Sequence, residues 1–217
     1  MKSIFLATAA IAAVALAAPA QAEQGDVLVR VRAIIVAPTE SSSGVKPTFP
    51  NDEVSVTNSF APEVDFSYFL TNNIALELIA ATTKHDVKGK GGLAPVGKLV
   101  DTWVLPPTLT LQYHFAPNAK VRPYIGAGLN FTHFYNEDAS DSLENAIGDT
   151  KVNLSDSFGY ALQAGLDVDV GKNLFVNFDI KYIDVDTTAK LATGNLVNKV
   201  KVSLDPIVAG IGIGMRF

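Results

Sequence analysis

The sequence predicts an all-β fold: an eight-stranded antiparallel up-and-down transmembrane β-barrel with periplasmic termini and long extracellular loops. Three observations predict it. The chain begins with an export signal, the rest of it has no apolar run of the roughly 20 residues that a spanning helix needs, and eight segments alternate apolar residues with period two. Only helices and closed barrels satisfy every backbone polar group within lipid. An exported, apolar chain without a spanning helix therefore favours the barrel.

The N-terminus has the layout of a secretory signal. Lys2 precedes an apolar run over residues 4–18, and Ala20-Gln21-Ala22 supplies a small-x-small cleavage site. A membrane anchor is the alternative, but the run is short and rich in alanine. We therefore expect residues 1–22 to be a cleaved signal peptide and residues 23–217 to form the barrel.

Composition excludes several classes of protein. The chain has no cysteine, so no disulfide can stabilise its fold. Removing Lys2 with the signal leaves 16 Lys and Arg against 22 Asp and Glu, a net charge of −6. An exported chain of negative charge is not expected to bind nucleic acid. The mean hydropathy is nonetheless positive, at +0.23.

Each of the eight segments has one apolar row and one row of small or charged residues. The segments are residues 26–38, 62–70, 74–82, 108–115, 121–132, 157–169, 174–183 and 206–217. In the first, Val27, Val29 and Val31 alternate with Arg30 and Arg32. In the last, "PIVAGIGIGMRF", isoleucines alternate with glycines. A β-sandwich also alternates, but its water-facing rows are polar rather than glycine-rich, and glycine suits a narrow lumen.

The connectors between these segments alternate in length. Short links at residues 71–73, 116–120 and 171–173 separate long ones at about 38–61, 83–106, 136–155 and 186–199. Outer-membrane barrels have short periplasmic turns and long outside loops. This alternation places both termini in the periplasm, and a sandwich gives no reason for it.

Five motifs resemble the OmpW family of outer-membrane proteins, in order and over nearly the whole mature chain, from about residue 29 to 217. They are "VRVRAIIVAP", "LTNNIALELIAAT", "LPPTLTLQYHF", "VRPYIGAGLNFT" and "GIGMRF". The resemblance implies a barrel in the outer membrane of a Gram-negative bacterium that passes small hydrophobic molecules, with suspected lateral escape into the bilayer. The related AlkL group is linked to uptake of alkanes. A C-terminal aromatic such as Phe217 is the mark of chains read by the barrel assembly machinery.

The predicted topology gives each inward residue a position along the barrel axis, because odd-numbered strands run from the periplasmic end to the extracellular end and even-numbered strands run back. The lower lumen is predicted to be a charged layer of Arg30, Arg32, Glu77, His114, Arg122, Asp167, Asp169, Asp179, Lys181 and Arg216. Unpaired charges there would cost several kcal/mol each, so the layer should be a paired network that stops ions.

The upper lumen is predicted to be an apolar path for a hydrophobic solute, which then leaves sideways through the wall or waits for a rearrangement. Its candidate residues are Ile34, Val36, Ile79, Phe134, Ile183, Val185 and Val208, with Trp103 in an outside loop as a first contact. Trp103 is alternatively an interfacial anchor. The apolar side chains are alternatively packed together without a cavity.

The predicted function is thus an outer-membrane channel for small hydrophobic molecules. The alternative is a structural or adhesive barrel with a sealed lumen, of the OmpX or OmpA type, whose signature is strands that project above the membrane. We expect no enzyme, because none of His85, His114 and His133 has a serine two residues on. No metal or cofactor motif is present. The expected partners are lipid, hydrophobic solutes and the assembly machinery, and a monomer is expected because closure leaves no free edge.

Overall fold

A computed structural model describes residues 23–217, and the predicted signal peptide, residues 1–22, lies outside them. No helix in this described part is long and apolar enough to cross a membrane. The strands are β1 Val27–Ala37, β2 Ser41–Ser42, β3 Val54–Val56, β4 Ser59–Phe69, β5 Ile74–Ala81, β6 Thr83–Gly89, β7 Lys98–Leu105, β8 Thr108–His114, β9 Val121–Ala139, β10 Thr150–Leu154, β11 Ser157–Asp169, β12 Leu174–Ile183, β13 Asp186–Thr193, β14 Leu196–Ser203 and β15 Ile207–Arg216. A 3₁₀ helix, Gly91–Val96, and one α-helix, Asp141–Ile147, complete the fold.

Eight of these strands close into a ring, which confirms the predicted barrel. Each strand pairs antiparallel with the next in the order β1, β4, β5, β8, β9, β11, β12 and β15. The ring closes where β15 pairs with β1, from Leu28 opposite Arg216 to Ala37 opposite Ile207. Every strand of the ring therefore has two neighbours, and no ring edge is left unpaired.

The outer face of the ring is apolar and exposed, as a lipid-facing surface requires. Val31, Leu111, Ile125, Ile180 and Ile213 have about half of their surface exposed. The row opposite each of them is buried inside the barrel. The alternation read from the sequence thus separates lipid-facing from lumen-facing side chains.

The glycines of the inward row make room for large neighbours. A Cβ atom on Gly214 would collide with the ring of Phe175, and one on Gly165 would collide with the phenol of Tyr124. Both rings are almost completely buried. At these two positions glycine therefore leaves room for a buried ring in a narrow lumen.

The predicted long loops are the main correction to the sequence-based picture. Much of them continues the barrel wall above the ring as two further sheets: β3, β6, β7 and the upper half of β9 form one, and β10, β13, β14 and β2 form the other. The physical reason is that the alternation continues. In β13 and β14, for example, Thr187, Val200 and Val202 are buried while Lys199 and Lys201 are exposed.

Candidate functional site

A network of ion pairs fills the middle of the lumen. Arg30 is fully buried and contacts Asp65 at 2.8 Å, Asp167 at 3.1 Å and Glu77 at 3.4 Å. Its guanidinium also donates to the hydroxyl of Ser67 at 2.7 Å. Each nitrogen-to-oxygen contact of this kind offsets part of the large cost of burying a charge.

Arg32 and Lys181 extend the network upward. Arg32 pairs with Glu63 at 2.7 Å and with Asp65 at 2.8 Å. Lys181 lies 3.0 Å from the same Glu63 and 2.6 Å from Asp179. Arg30, Arg32 and Lys181 are thus linked through shared carboxylates into one connected layer across the barrel.

A second group lies toward the periplasmic end. Arg122 pairs with Asp169, and Arg216 lies 3.7 Å from Asp26. The guanidinium carbons of Arg30 and Arg122 both lie over the ring of Phe175, at 5.6 and 5.4 Å from its centre. Such cation–π contacts add attraction without needing another carboxylate.

All ten residues predicted for the charged layer are buried in the lumen. These are Arg30, Arg32, Glu77, His114, Arg122, Asp167, Asp169, Asp179, Lys181 and Arg216. Nine of them belong to the ion pairs above, and His114 packs against Tyr124 with ring centres 5.1 Å apart. Two carboxylates of the layer were missed, Glu63 and Asp65. They lie on the inward row of β4, so strand parity alone was a sufficient signal.

An apolar cavity of about 110 Å³ lies directly above this layer. Glu63 and Lys181 of the layer form part of its lining, and we call this pair the cavity floor. Seven of the eight residues predicted for the solute path line it: Ile34, Val36, Ile79, Phe134, Ile183, Val185 and Val208. Val45, Val54 and Leu99 also line the cavity, and they belong to a second apolar cluster together with Leu93 and Leu143.

Trp103, the eighth predicted path residue, is placed differently. It lies on strand β7 rather than in a loop, and its neighbours Thr102 and Val104 line the cavity. Because successive side chains of a strand point to opposite faces, Trp103 lies on the outer face, where its ring stacks on Tyr135 at 6.2 Å. It is therefore not part of the cavity wall.

His85 was expected in a loop, but it is buried in β6 and lines the cavity. Its Nδ1 lies 2.7 Å from the carbonyl oxygen of Thr57, and its Nε2 lies 3.0 Å from the hydroxyl of Thr83. Burial lowers the pKa of the imidazole below its usual value. The alternation of Thr83, His85 and Val87 with Lys84, Asp86 and Lys88 was the available signal.

The wall beside the cavity is interrupted at two consecutive prolines. Pairing between β5 and β8 ends at Ile79 opposite Thr108, and pairing between β6 and β7 begins at Thr83 opposite Val104. Pro106 and Pro107 fall between these points and have no backbone N–H to donate. Pro106 lines the cavity, so this interruption of the backbone pairing lies beside the cavity.

Known proteins resemble this chain over most or all of its length. A family model described as the OmpW family matches residues 23–217. The uncharacterized outer-membrane protein y4mB of Sinorhizobium fredii is 41% identical, over 87% of this chain and 79% of that protein. Outer membrane protein W of Escherichia coli is 34% identical, with 100% of both chains covered.

Two further matches bear on structure and on the class of compound. The crystal structure of the outer membrane protein OprG from Pseudomonas aeruginosa has a TM-score of 0.86 at 32% identity, covering 92% of this chain and 99% of that one. The dibenzothiophene metabolism operon protein PahQ of Pseudomonas aeruginosa is 32% identical, over 77% of this chain and 76% of that protein. The chain belongs to the OmpW family, and it is an eight-stranded barrel of the outer membrane of a Gram-negative bacterium.

Proposed function

We propose that this barrel takes up small hydrophobic molecules from outside the cell and releases them into the outer membrane. The observation that carries the proposal is the apolar cavity of about 110 Å³ that lies on a layer of paired charges. Each CH₂ group of a guest contributes about 0.8 kcal/mol on leaving water, so a chain of six would gain about 5 kcal/mol. The relative named for a dibenzothiophene operon is consistent with an apolar solute.

The charged layer closes the straight route to the periplasm. An apolar guest gains nothing by displacing ion pairs, and an ion would have to separate buried charges that are paired with one another. The guest is therefore held above Glu63 and Lys181. The remaining exit lies through the wall.

The lateral exit is proposed at Pro106 and Pro107. The strand pairing is interrupted there, between Ile79–Thr108 and Thr83–Val104, so local opening breaks few contacts. One of these contacts is the hydrogen bond that the hydroxyl of Thr82 donates to the carbonyl oxygen of Val104 at 3.3 Å. Leu105 and Leu109, on either side of the prolines, are exposed on the outer face. A guest leaving here would enter an apolar surrounding without crossing water.

Uptake of a fluorescent hydrophobic probe into liposomes carrying the purified barrel tests the cavity. Ile34→Asp and Phe134→Asp each place an unpaired carboxylate in the lining and should lower uptake severalfold. Val197→Asp, on an exposed tip of β14, is the matched control and should leave uptake unchanged. Equal uptake by all of these proteins would refute the proposal.

A disulfide tests the exit. The chain has no cysteine, so Thr82→Cys with Leu105→Cys creates a single pair across the interruption. Oxidation should stop probe release into the bilayer, and reduction should restore it. Release that is equal in both states would exclude this exit while leaving the cavity in place.

The adhesive alternative draws on one observation, the two sheets that project above the ring. If these strands serve attachment, then substitutions in the cavity would not affect function, and binding to surfaces would instead follow exposed residues such as Leu196 and Val197. The Ile34→Asp variant therefore separates the two functions. Loss of uptake supports passage, and intact uptake supports attachment.

A further inference from the structure

The network beneath the cavity has more carboxylates than cations. Three cations, Arg30, Arg32 and Lys181, are linked to five carboxylates, which are Glu63, Asp65, Glu77, Asp167 and Asp179. The lower pairs, Arg122 with Asp169 and Arg216 with Asp26, are balanced and do not offset this excess. Protonation of one of the five carboxyls would still leave the network negative.

Two members of the network reach the cavity, and their contacts differ. The ammonium of Lys181 donates to Glu63 and to Asp179, so two carboxylates already engage its charge. Glu63 uses one oxygen, Oε1, for both its contact with Arg32 and its contact with Lys181. Its second oxygen is therefore available to accept a hydrogen bond from a guest.

The apolar lining above the floor strengthens the electrostatic effect of Glu63 and Lys181 on a guest. It consists mainly of valine, isoleucine and leucine side chains, with no charged residue besides Glu63 and Lys181. Charges act strongly on one another where water and mobile ions are excluded. An anionic group brought down to the floor meets a negative network in which each of the three cations already contacts at least two carboxylates. A protonated amine instead meets a carboxylate oxygen.

We propose that the cavity floor selects guests by charge. It accepts uncharged apolar molecules and apolar molecules that end in a protonated amine, and it rejects those that end in a carboxylate or sulfonate. This inference rests on the proposed passage of hydrophobic solutes and specifies their class. The polar end of an accepted amine lies against Glu63, and its apolar end lies among the residues above, such as Ile34 and Val208.

The inference is tested by measuring how fast charged and uncharged reagents modify a cysteine placed near the cavity floor, with the barrel held in lipid nanodiscs. Ile183→Cys introduces the only thiol of the chain, on the cavity wall two residues from Lys181 on β12. Its modification rate is measured with three methanethiosulfonates of similar size, bearing a propyl, an ethylammonium or an ethylsulfonate group. Asn195→Cys, in an exposed turn, gives the reference rate of each reagent.

We expect the propyl and ethylammonium reagents to react at Ile183→Cys at least tenfold faster than the ethylsulfonate reagent, after division by the reference rates. Equal rates for ammonium and sulfonate would overturn the inference while leaving passage intact. If the propyl reagent modifies Asn195→Cys but fails at Ile183→Cys, then no guest reaches the floor. Passage itself then fails, and the inference falls with it.

The same measurement in a Glu63→Gln background assigns the selectivity to the floor. The preference for ammonium should fall at least threefold, whereas Asp149→Asn, which removes an exposed carboxylate of the extracellular side, should not change it. Folding of each variant is checked by gel electrophoresis, where a folded barrel changes its mobility on heating. If Glu63→Gln does not fold by this criterion, Asp179→Asn is used instead. An unchanged preference in whichever of the two variants folds would refute the assignment.

Discussion

Replacing Arg30 by methionine should destabilise the barrel by about 3–5 kcal/mol, because removing one partner of a buried ion pair leaves uncompensated charge. The side chain is fully buried and contacts Asp65, Glu77 and Asp167. Without Arg30, these three carboxylates would each lose a contact with a cation. Methionine keeps most of the volume, so the change isolates the charge. The measurement is equilibrium unfolding in guanidinium in lipid vesicles, followed by circular dichroism.

Two further variants make this test decisive. Lys201→Met removes an exposed cation above the membrane and should change the free energy of unfolding by no more than about 0.5 kcal/mol. The double variant Arg30→Met with Asp167→Asn removes a carboxylate together with its partner, so its loss should be smaller than the sum of the two single losses. A loss below about 1 kcal/mol for Arg30→Met, or strict additivity in the double variant, would refute the view that these charges depend on one another.

Three other expectations concern single positions. Gly214→Val should cost about 1–3 kcal/mol by overpacking against Phe175, and a melting temperature in detergent equal to that of the unchanged protein would contradict this. Deleting Phe217, the proposed signal for the barrel assembly machinery, should lower the amount of folded protein in the outer membrane of cells while leaving refolding from urea into vesicles possible; normal levels in cells would exclude that role. Because burial lowers the pKa of His85, the unfolded state takes up this proton first as pH falls below about 6.5. Stability should therefore decrease as pH falls from there toward the folded-state pKa, and His85→Gln should flatten that dependence in thermal melts taken between pH 7.5 and 5.

The part of the site that could be predicted is the part that strand parity determines. Arg30 and Arg32 follow Val29 and Val31 at alternating positions, and Ile34 and Val36 continue the same inward row. One strand therefore shows the change from charged to apolar lumen without knowledge of any partner. Pairing partners could not be predicted in this way, because they lie far apart in the chain; Arg32 and Asn177, for example, are 145 residues apart.

The errors came from treating the segments above the ring as loops. Residues 83–89 and 98–105 alternate as strands do, but lysines and aspartates on their outer face resemble loop composition. Above the lipid such charges face water, and the inward row can still be apolar. Trp103 was misplaced for this reason, and His85 was overlooked because the cavity extends higher than the membrane.

The hydrogen-bonded ladder between β1 and β15 has a consequence for how the chain matures. The wall is complete only when the last strand to be synthesised reaches the first one, so no partial chain can form a finished cylinder. Contacts of such long sequence separation slow folding. The polypeptide must therefore cross the periplasm unfolded, with its lipid-facing side chains uncovered, and it needs chaperones that shield these side chains until the last strand of the ring pairs with the first.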